Sequence, residues 1–180
     1  VVGINIGSGQ RRFEDQDDWR WINIDLQYRP PDQMPDIIAN GASSVMSMSA
    51  DVIVLHHVLE HFGCGEADTL LTQCWQALKP GGSLLVFVPD TMAIARRYIL
   101  RQIDDYTLRV LTYGAYQGAE EDRHRWGYDY ASLQKYLNKV FEWEEQGSTA
   151  TSIKFFDWRE IPGADLARDW WILGMEAVKE

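Results

Sequence analysis

Two apolar runs in the middle of the chain, Val52-Ile53-Val54-Leu55 and Leu84-Leu85-Val86-Phe87-Val88, show no alternation of polar and apolar residues. A strand with one wet face alternates with a period of two, so a run that is apolar throughout belongs to a strand covered on both faces. Such strands sit at the centre of parallel sheets, and parallel neighbours must be joined by a crossover, usually a helix. The segment between the runs supplies one. Ala67, Leu70, Leu71, Cys74, Trp75 and Leu78 fall on a single helical stripe that Pro80-Gly81-Gly82 is expected to stop. Trp75 on this stripe is a core residue, and the class is α/β.

The remaining segments fit the same alternation. Val1-Val2-Gly3-Ile4-Asn5-Ile6 and Trp21-Ile22-Asn23-Ile24 read as strands, and Asp36-Ile37-Ile38-Ala39 as a short one ending at Asn40-Gly41. Pro30, Pro31 and Pro35 forbid a long helix before it. A helical stretch is expected over 91–111, followed at 113–128 by a segment rich in glycine, aromatics and charge; residues 91–128 together read as a substrate-side insertion. Tyr130, Leu133, Leu137, Val140 and Phe141 predict an amphipathic helix with Asp129 as its N-cap. A sixth strand and a loop are expected over 142–161, and a last strand over 170–179. At 180 residues with no repeat or low-complexity linker, residues 1–180 read as one domain.

Composition excludes some partners. A net charge of -10 repels phosphate backbones, so no nucleic acid is expected. No apolar stretch approaches the roughly 18 residues of a membrane span. Cys64 and Cys74 form no Cys-x-x-Cys motif and nothing resembles a signal peptide, so a cytoplasmic setting is expected. Of the eight tryptophans, among them Trp126, Trp158, Trp170 and Trp171 in the C-terminal half, most are expected in the core. An exposed remainder would serve as an aromatic wall at a binding mouth or as the surface of a homodimer.

Chemistry is concentrated where strands end. The first strand breaks into Gly7-Ser8-Gly9, and the second stops at Asp25. Glycines allow a tight turn and a close approach of backbone to ligand, while a carboxylate ending the neighbouring strand can accept both hydroxyls of a ribose. This pairing predicts a nucleoside ligand without naming it.

The succession Asn5-Ile6-Gly7-Ser8-Gly9, Trp21-Ile22-Asn23-Ile24-Asp25-Leu26, His57-Val58-Leu59-Glu60-His61-Phe62, Leu78-Lys79-Pro80-Gly81-Gly82 and Val88-Pro89-Asp90 resembles the class I S-adenosylmethionine (SAM)-dependent methyltransferases, in particular a small bacterial branch with an Asn-x-Gly-x-Gly opening. The resemblance implies a Rossmann-like, mostly parallel seven-stranded sheet with an antiparallel last strand and helices on both faces. It implies SAM as cofactor and methyl transfer to an oxygen or nitrogen of a small-molecule acceptor. It places Asn5, Gly7, Ser8 and Gly9 at the methionine end, Asp25 and Leu26 at the ribose, Asn40 and Gly41 at the adenine, and His56 and His57 against the methionine. Two departures stand out. Asn5 replaces the acidic residue of many members, and Arg11 stands where a third glycine often lies. Many members also carry helices before the first strand, so either residues precede Val1 or this side is open.

His57 and His124 are the candidate catalytic side chains. On a helix His57 would share a face with Glu60 or His61, the spacing of a base with its partner or of a metal pair. Some quinone-pathway relatives bind a divalent ion through a similar Leu-Glu-His segment, but with an acidic residue where His57 stands, so no metal ligand is assigned. His124, in His124-Arg125-Trp126-Gly127-Tyr128, matches a segment facing the active-site mouth of that branch, where an imidazole can take a proton from a hydroxyl. Arg97 with Arg101, and Arg101 with Asp105, have the spacing of exposed neighbours on a helix. Two other functions share the glycine turn and strand-end carboxylate. An NAD-dependent oxidoreductase is disfavoured by the missing third glycine and by the Leu-Lys-Pro-Gly-Gly turn. A non-catalytic SAM-binding protein on the same fold differs only in lacking turnover.

Overall fold

The computed structural model describes residues 1–27, 30–39, 50–115, 120–141, 150–156, 159–166 and 168–180. Asn40 and Gly41, the expected adenine contacts, and Trp158 lie outside these residues. The strands are β1 (Val2–Ile6), β2 (Arg20–Asp25), β3 (Ile37–Ile38), β4 (Ala50–His56), β5 (Leu78–Pro89), β6 (Ala150–Phe155) and β7 (Ile172–Lys179). They form one sheet in the order β3-β2-β1-β4-β5-β7-β6. Neighbours from β3 to β5 run parallel, and β7 runs antiparallel to both β5 and β6. The strand order reverses between β1 and β4, so the connections leave in opposite directions and open a crevice at the carboxyl ends of those two strands, where ligands of such sheets bind.

The two alternation-free runs are β4 and β5, with Ile53, Val54, Leu55 and Leu84 through Val88 all fully buried. Helix α1 (Cys64–Ala77) and helix α4 (Tyr130–Phe141) pack on one face of the sheet, where Trp75 stacks on Phe141 with ring centroids 4.2 Å apart. Asp129 caps α4 as expected, its Oδ1 accepting from the Ser132 amide at 2.7 Å. On the opposite face Trp21, Val54, Leu85 and Phe87 are covered by Phe13, Phe156 and Ile161, which come from segments outside helices and strands.

Three local expectations change. Helix α1 ends at Ala77, and Leu78 already pairs with Ala50, so Pro80-Gly81-Gly82 lies within the start of β5 instead of terminating the helix. The stretch 91–111 is two helices, α2 (Thr91–Ile99) and α3 (Asp105–Tyr113), because Arg101 adopts φ 55° and breaks the run. Arg101 therefore shares no helix with Arg97 or Asp105; Arg97 lies over the Trp170 ring at 4.2 Å, and Asp105 pairs with Arg109 at 2.9 Å. Trp126 and Trp170 are exposed, whereas Trp21 and Trp75 are buried. No helix among the described residues is long and apolar enough to cross a membrane.

Candidate active site

At the carboxyl end of β1 the chain turns through Gly7 and Gly9, both at positive φ (68° and 54°). The Gly7 amide donates to the Ile24 carbonyl at 2.8 Å, and a Cβ on Gly7 would overlap the Val58 side chain. The turn thus lies flat between the end of β2 and the segment after β4. Asn5, 2% exposed, does not face a ligand with its amide nitrogen: Nδ2 donates to the Arg11 carbonyl and to Asn23 Oδ1. Asn23 Oδ1 also accepts from the Phe13 amide. An asparagine pair therefore pins the loop, a task that a carboxylate at position 5 could not perform as a donor.

Asp25 is buried at the end of β2. Its Oδ2 accepts from the Gly9 amide at 2.6 Å and its Oδ1 from the Gln27 amide at 2.8 Å. Backbone amides on both oxygens fix the plane of the carboxylate at the edge of the crevice. Leu26 follows with its side chain 54% exposed, on the wall of a cleft of about 350 Å³ that Gly9, Asp25, Val58 and Phe62 also line. A second cleft, of about 330 Å³, continues past Gly7 and Gly9 to Arg11, His56, His57 and Trp171. Gly7, Gly9 and His57 border both clefts, so they separate a strand-2 end from a strand-4 end of one crevice.

The segment after β4 is not an α-helix. His57 takes φ 57°, Val58 is non-helical, and only Leu59–His61 form a 3-10 turn. A left-handed conformation at a residue with a Cβ is uncommon and costs about 1–3 kcal/mol. Here it is held by the His57 amide, which donates to the Phe87 carbonyl at 3.0 Å. The predicted contact nevertheless forms: His57 Nδ1 lies 3.0 Å from Glu60 Oε1, and the ring packs on Trp171 at 4.9 Å and on His56 at 4.6 Å. In the neutral tautomer that donates from Nδ1 to the carboxylate, Nε2 carries the lone pair. Ser8 Oγ, His56 Nε2, His57 Nε2 and Glu60 Oε2 are buried with no hydrogen-bond partner among the described residues. Orphaned polar atoms are costly in a core and are expected where a ligand completes them. His56 is held neutral, its pKa pushed down to about 3 by burial first and then by the neighbouring His57 and Arg11 charges.

The insertion closes over this segment. The Arg125 and Trp126 amides both donate to the Glu60 carbonyl, at 2.7 and 3.1 Å. Gly114, at φ 85°, allows the Asp122 carbonyl to pass where a Cβ would stand. His124 is thereby brought beside His61, ring centroids 5.0 Å apart. Burial lowers its pKa, opposed by the charge of Glu60. Sequence offered Glu60 only as a partner of His57, and the structure also makes its carbonyl the anchor of the Arg125 and Trp126 amides. Trp171 as the platform for His57 was not singled out, because that contact joins segments far apart in the chain.

The glycine turn, the strand-end carboxylate and the reversal of strand order meet at one crevice, the place where parallel sheets of this order bind ligands. Residues 5–86 match the family model described as a methyltransferase domain. The fold is that of the class I methyltransferases. It superposes on a Burkholderia thailandensis 1,6-didemethyltoxoflavin N1-methyltransferase crystallised with S-adenosylhomocysteine (TM-score 0.58, 14% identity, 99% of this chain and 70% of that one). It also superposes on a SAM-dependent methyltransferase from Archaeoglobus fulgidus (0.56, 13%, 98% and 85%). The human N-acetylserotonin methyltransferase in complex with SAM is a third (0.56, 16%, 98% of this chain), and the domain spans 47% of that longer enzyme. No curated protein matches the sequence.

Proposed function

We propose that this protein transfers a methyl group from SAM to an oxygen or nitrogen atom of a small-molecule acceptor. The observation that carries the reading is the set of buried, unpartnered polar atoms, Ser8 Oγ, His56 Nε2 and His57 Nε2, gathered around the two positive-φ glycines at the carboxyl ends of β1 and β4. Gly7, Ser8 and Gly9 hold the methionine end, Asp25 and Leu26 the ribose, and His56 and His57 the wall nearest the sulfur; Asn5 keeps the loop in shape. When bound, SAM supplies an electrophilic sulfonium methyl. The protein's task is alignment of the acceptor at about 3–3.5 Å and removal of a proton where the acceptor is a hydroxyl. His57, oriented by Glu60, presents Nε2 at the crevice, and His124 serves the acceptor from the insertion.

The net charge of -10 favours a small acceptor over nucleic acid. A cytoplasmic location is our reading of the two unpaired-motif cysteines, and a homodimer that of the exposed Trp126 and Trp170. The test is calorimetric titration with SAM, S-adenosylhomocysteine and NAD, followed by detection of S-adenosylhomocysteine formed with candidate acceptors. SAM should bind and NAD should not; His57→Ala should weaken both binding and turnover, and His124→Ala turnover more than binding. SAM binding without turnover on any acceptor would favour a non-catalytic SAM-binding protein.

A further inference from the structure

Three of the four histidines of this chain surround one buried carboxylate. Glu60 is 1% exposed; its Oε1 is taken by His57, while Oε2 has no hydrogen-bond partner among the described residues. One ligating atom from each of Glu60, His61 and His124 lies within 4.8 Å of the other two. The His61 imidazole is anchored from behind. His61 Nδ1 lies 3.1 Å from the Arg123 carbonyl, which can only accept, so Nδ1 carries the hydrogen and Nε2 the lone pair. A ring nitrogen committed to a backbone carbonyl, leaving the other to donate electrons, is how metal-ligating histidines are oriented.

We infer that Glu60, His61 and His124 form a binding site for a divalent transition cation, Zn²⁺ foremost. Two imidazoles and one carboxylate are a ligand set suited to zinc and its neighbours, and three protein ligands leave coordination positions open. Bonds of about 2.0–2.1 Å place the ligands of one ion about 3–3.5 Å apart. The present set, within 4.8 Å, is wider than that spacing, so the three side chains would draw in around the ion. His57 holds the other oxygen of Glu60 and fixes the plane of the carboxylate. The third ligand comes from the insertion, whose register on the 3-10 turn is set by the Arg125 and Trp126 amides on the Glu60 carbonyl. His61 lies on the cleft beside Asp25 and Val58, so an open coordination position faces the crevice and suits an acceptor with an oxygen donor. That last role rests on the methyl-transfer reading; the binding of the cation does not.

The test is titration of chelator-treated protein with Zn²⁺ by calorimetry, with Co²⁺ as a visible-absorption probe of the same ligands and SAM titrated in parallel. One equivalent of Zn²⁺ should bind, and His61→Ala and His124→Ala should each weaken it at least tenfold with the circular dichroism spectrum retained. Because Glu60→Gln alters a buried group and can fail to fold, the two histidine variants decide. No stoichiometric binding by the wild type, or wild-type affinity in both histidine variants, would overturn the site. SAM binding without Zn²⁺ binding would remove the cation alone, and Zn²⁺ binding without SAM binding would remove the methyl-transfer reading alone.

Discussion

The amide of Gly9 donates to Asp25 Oδ2 at 2.6 Å, so the loop after the first strand is tied to the last residue of the second. The same carboxylate takes the Gln27 amide on its other oxygen. One side chain therefore shapes the edge of the crevice. On the proposed reading, a change at Asp25 alters SAM affinity and loop geometry together.

Asp25→Ala should lower SAM affinity by about 1–3 kcal/mol and also reduce stability, because two backbone amides lose their acceptor. Calorimetric titration and urea unfolding on the same preparation measure both effects. Unchanged SAM affinity in a folded Asp25 variant would take the residue out of the site.

Gly7→Ala places a Cβ against Val58 at a φ of 68°. The strain is expected to cost about 1–3 kcal/mol in urea unfolding and to abolish SAM binding. Gly65, on α1 with nothing near its built Cβ, is the control; Gly65→Ala should stabilise by about 0.4–1 kcal/mol. Equal effects at the two positions would contradict the close packing of the turn on Val58.

His56 gives the protein a pH dependence of known sign. Its pKa is about 3 in the folded protein against an ordinary 6.5, so the unfolded chain binds more protons between these values. The contribution to stability is complete above about pH 6.5 and falls as pH drops toward 3, by up to about 1.4 kcal/mol per unit. Denaturation at pH 7.5, 6.5 and 5.5 should show a shallower loss in His56→Gln than in the wild type. Parallel profiles would mean that the buried imidazole is not kept neutral by its surroundings.

Much of the fold was written locally. Fully apolar runs can only be central strands, and a stripe recurring every three or four residues can only be a one-sided helix, so β4, β5, α1 and α4 followed from sequence. Boundaries did not: Leu78 continues the periodicity of α1 but is captured by pairing with Ala50, because a strand hydrogen bond to a neighbouring chain segment outweighs one more helical residue. The break at Arg101 was hidden for a similar reason, since nothing in its own side chain requires a positive φ.

The site divides in the same way. Gly7, Gly9 and Asp25 were legible because close approach and strand-end acceptance demand particular residue types at particular places. The His57–Glu60 contact was anticipated through helical spacing, yet it is produced by a left-handed residue followed by a 3-10 turn. What brings His124 to His61 is a pair of hydrogen bonds from the insertion to one carbonyl, and backbone groups are the same at every residue. Sequence by itself determined the strands, the glycine turn and the carboxylate beside it, because these depend on side-chain type and local spacing. Only the tertiary structure decided which histidines meet around Glu60, because that depends on how backbone segments far apart in the chain register against each other.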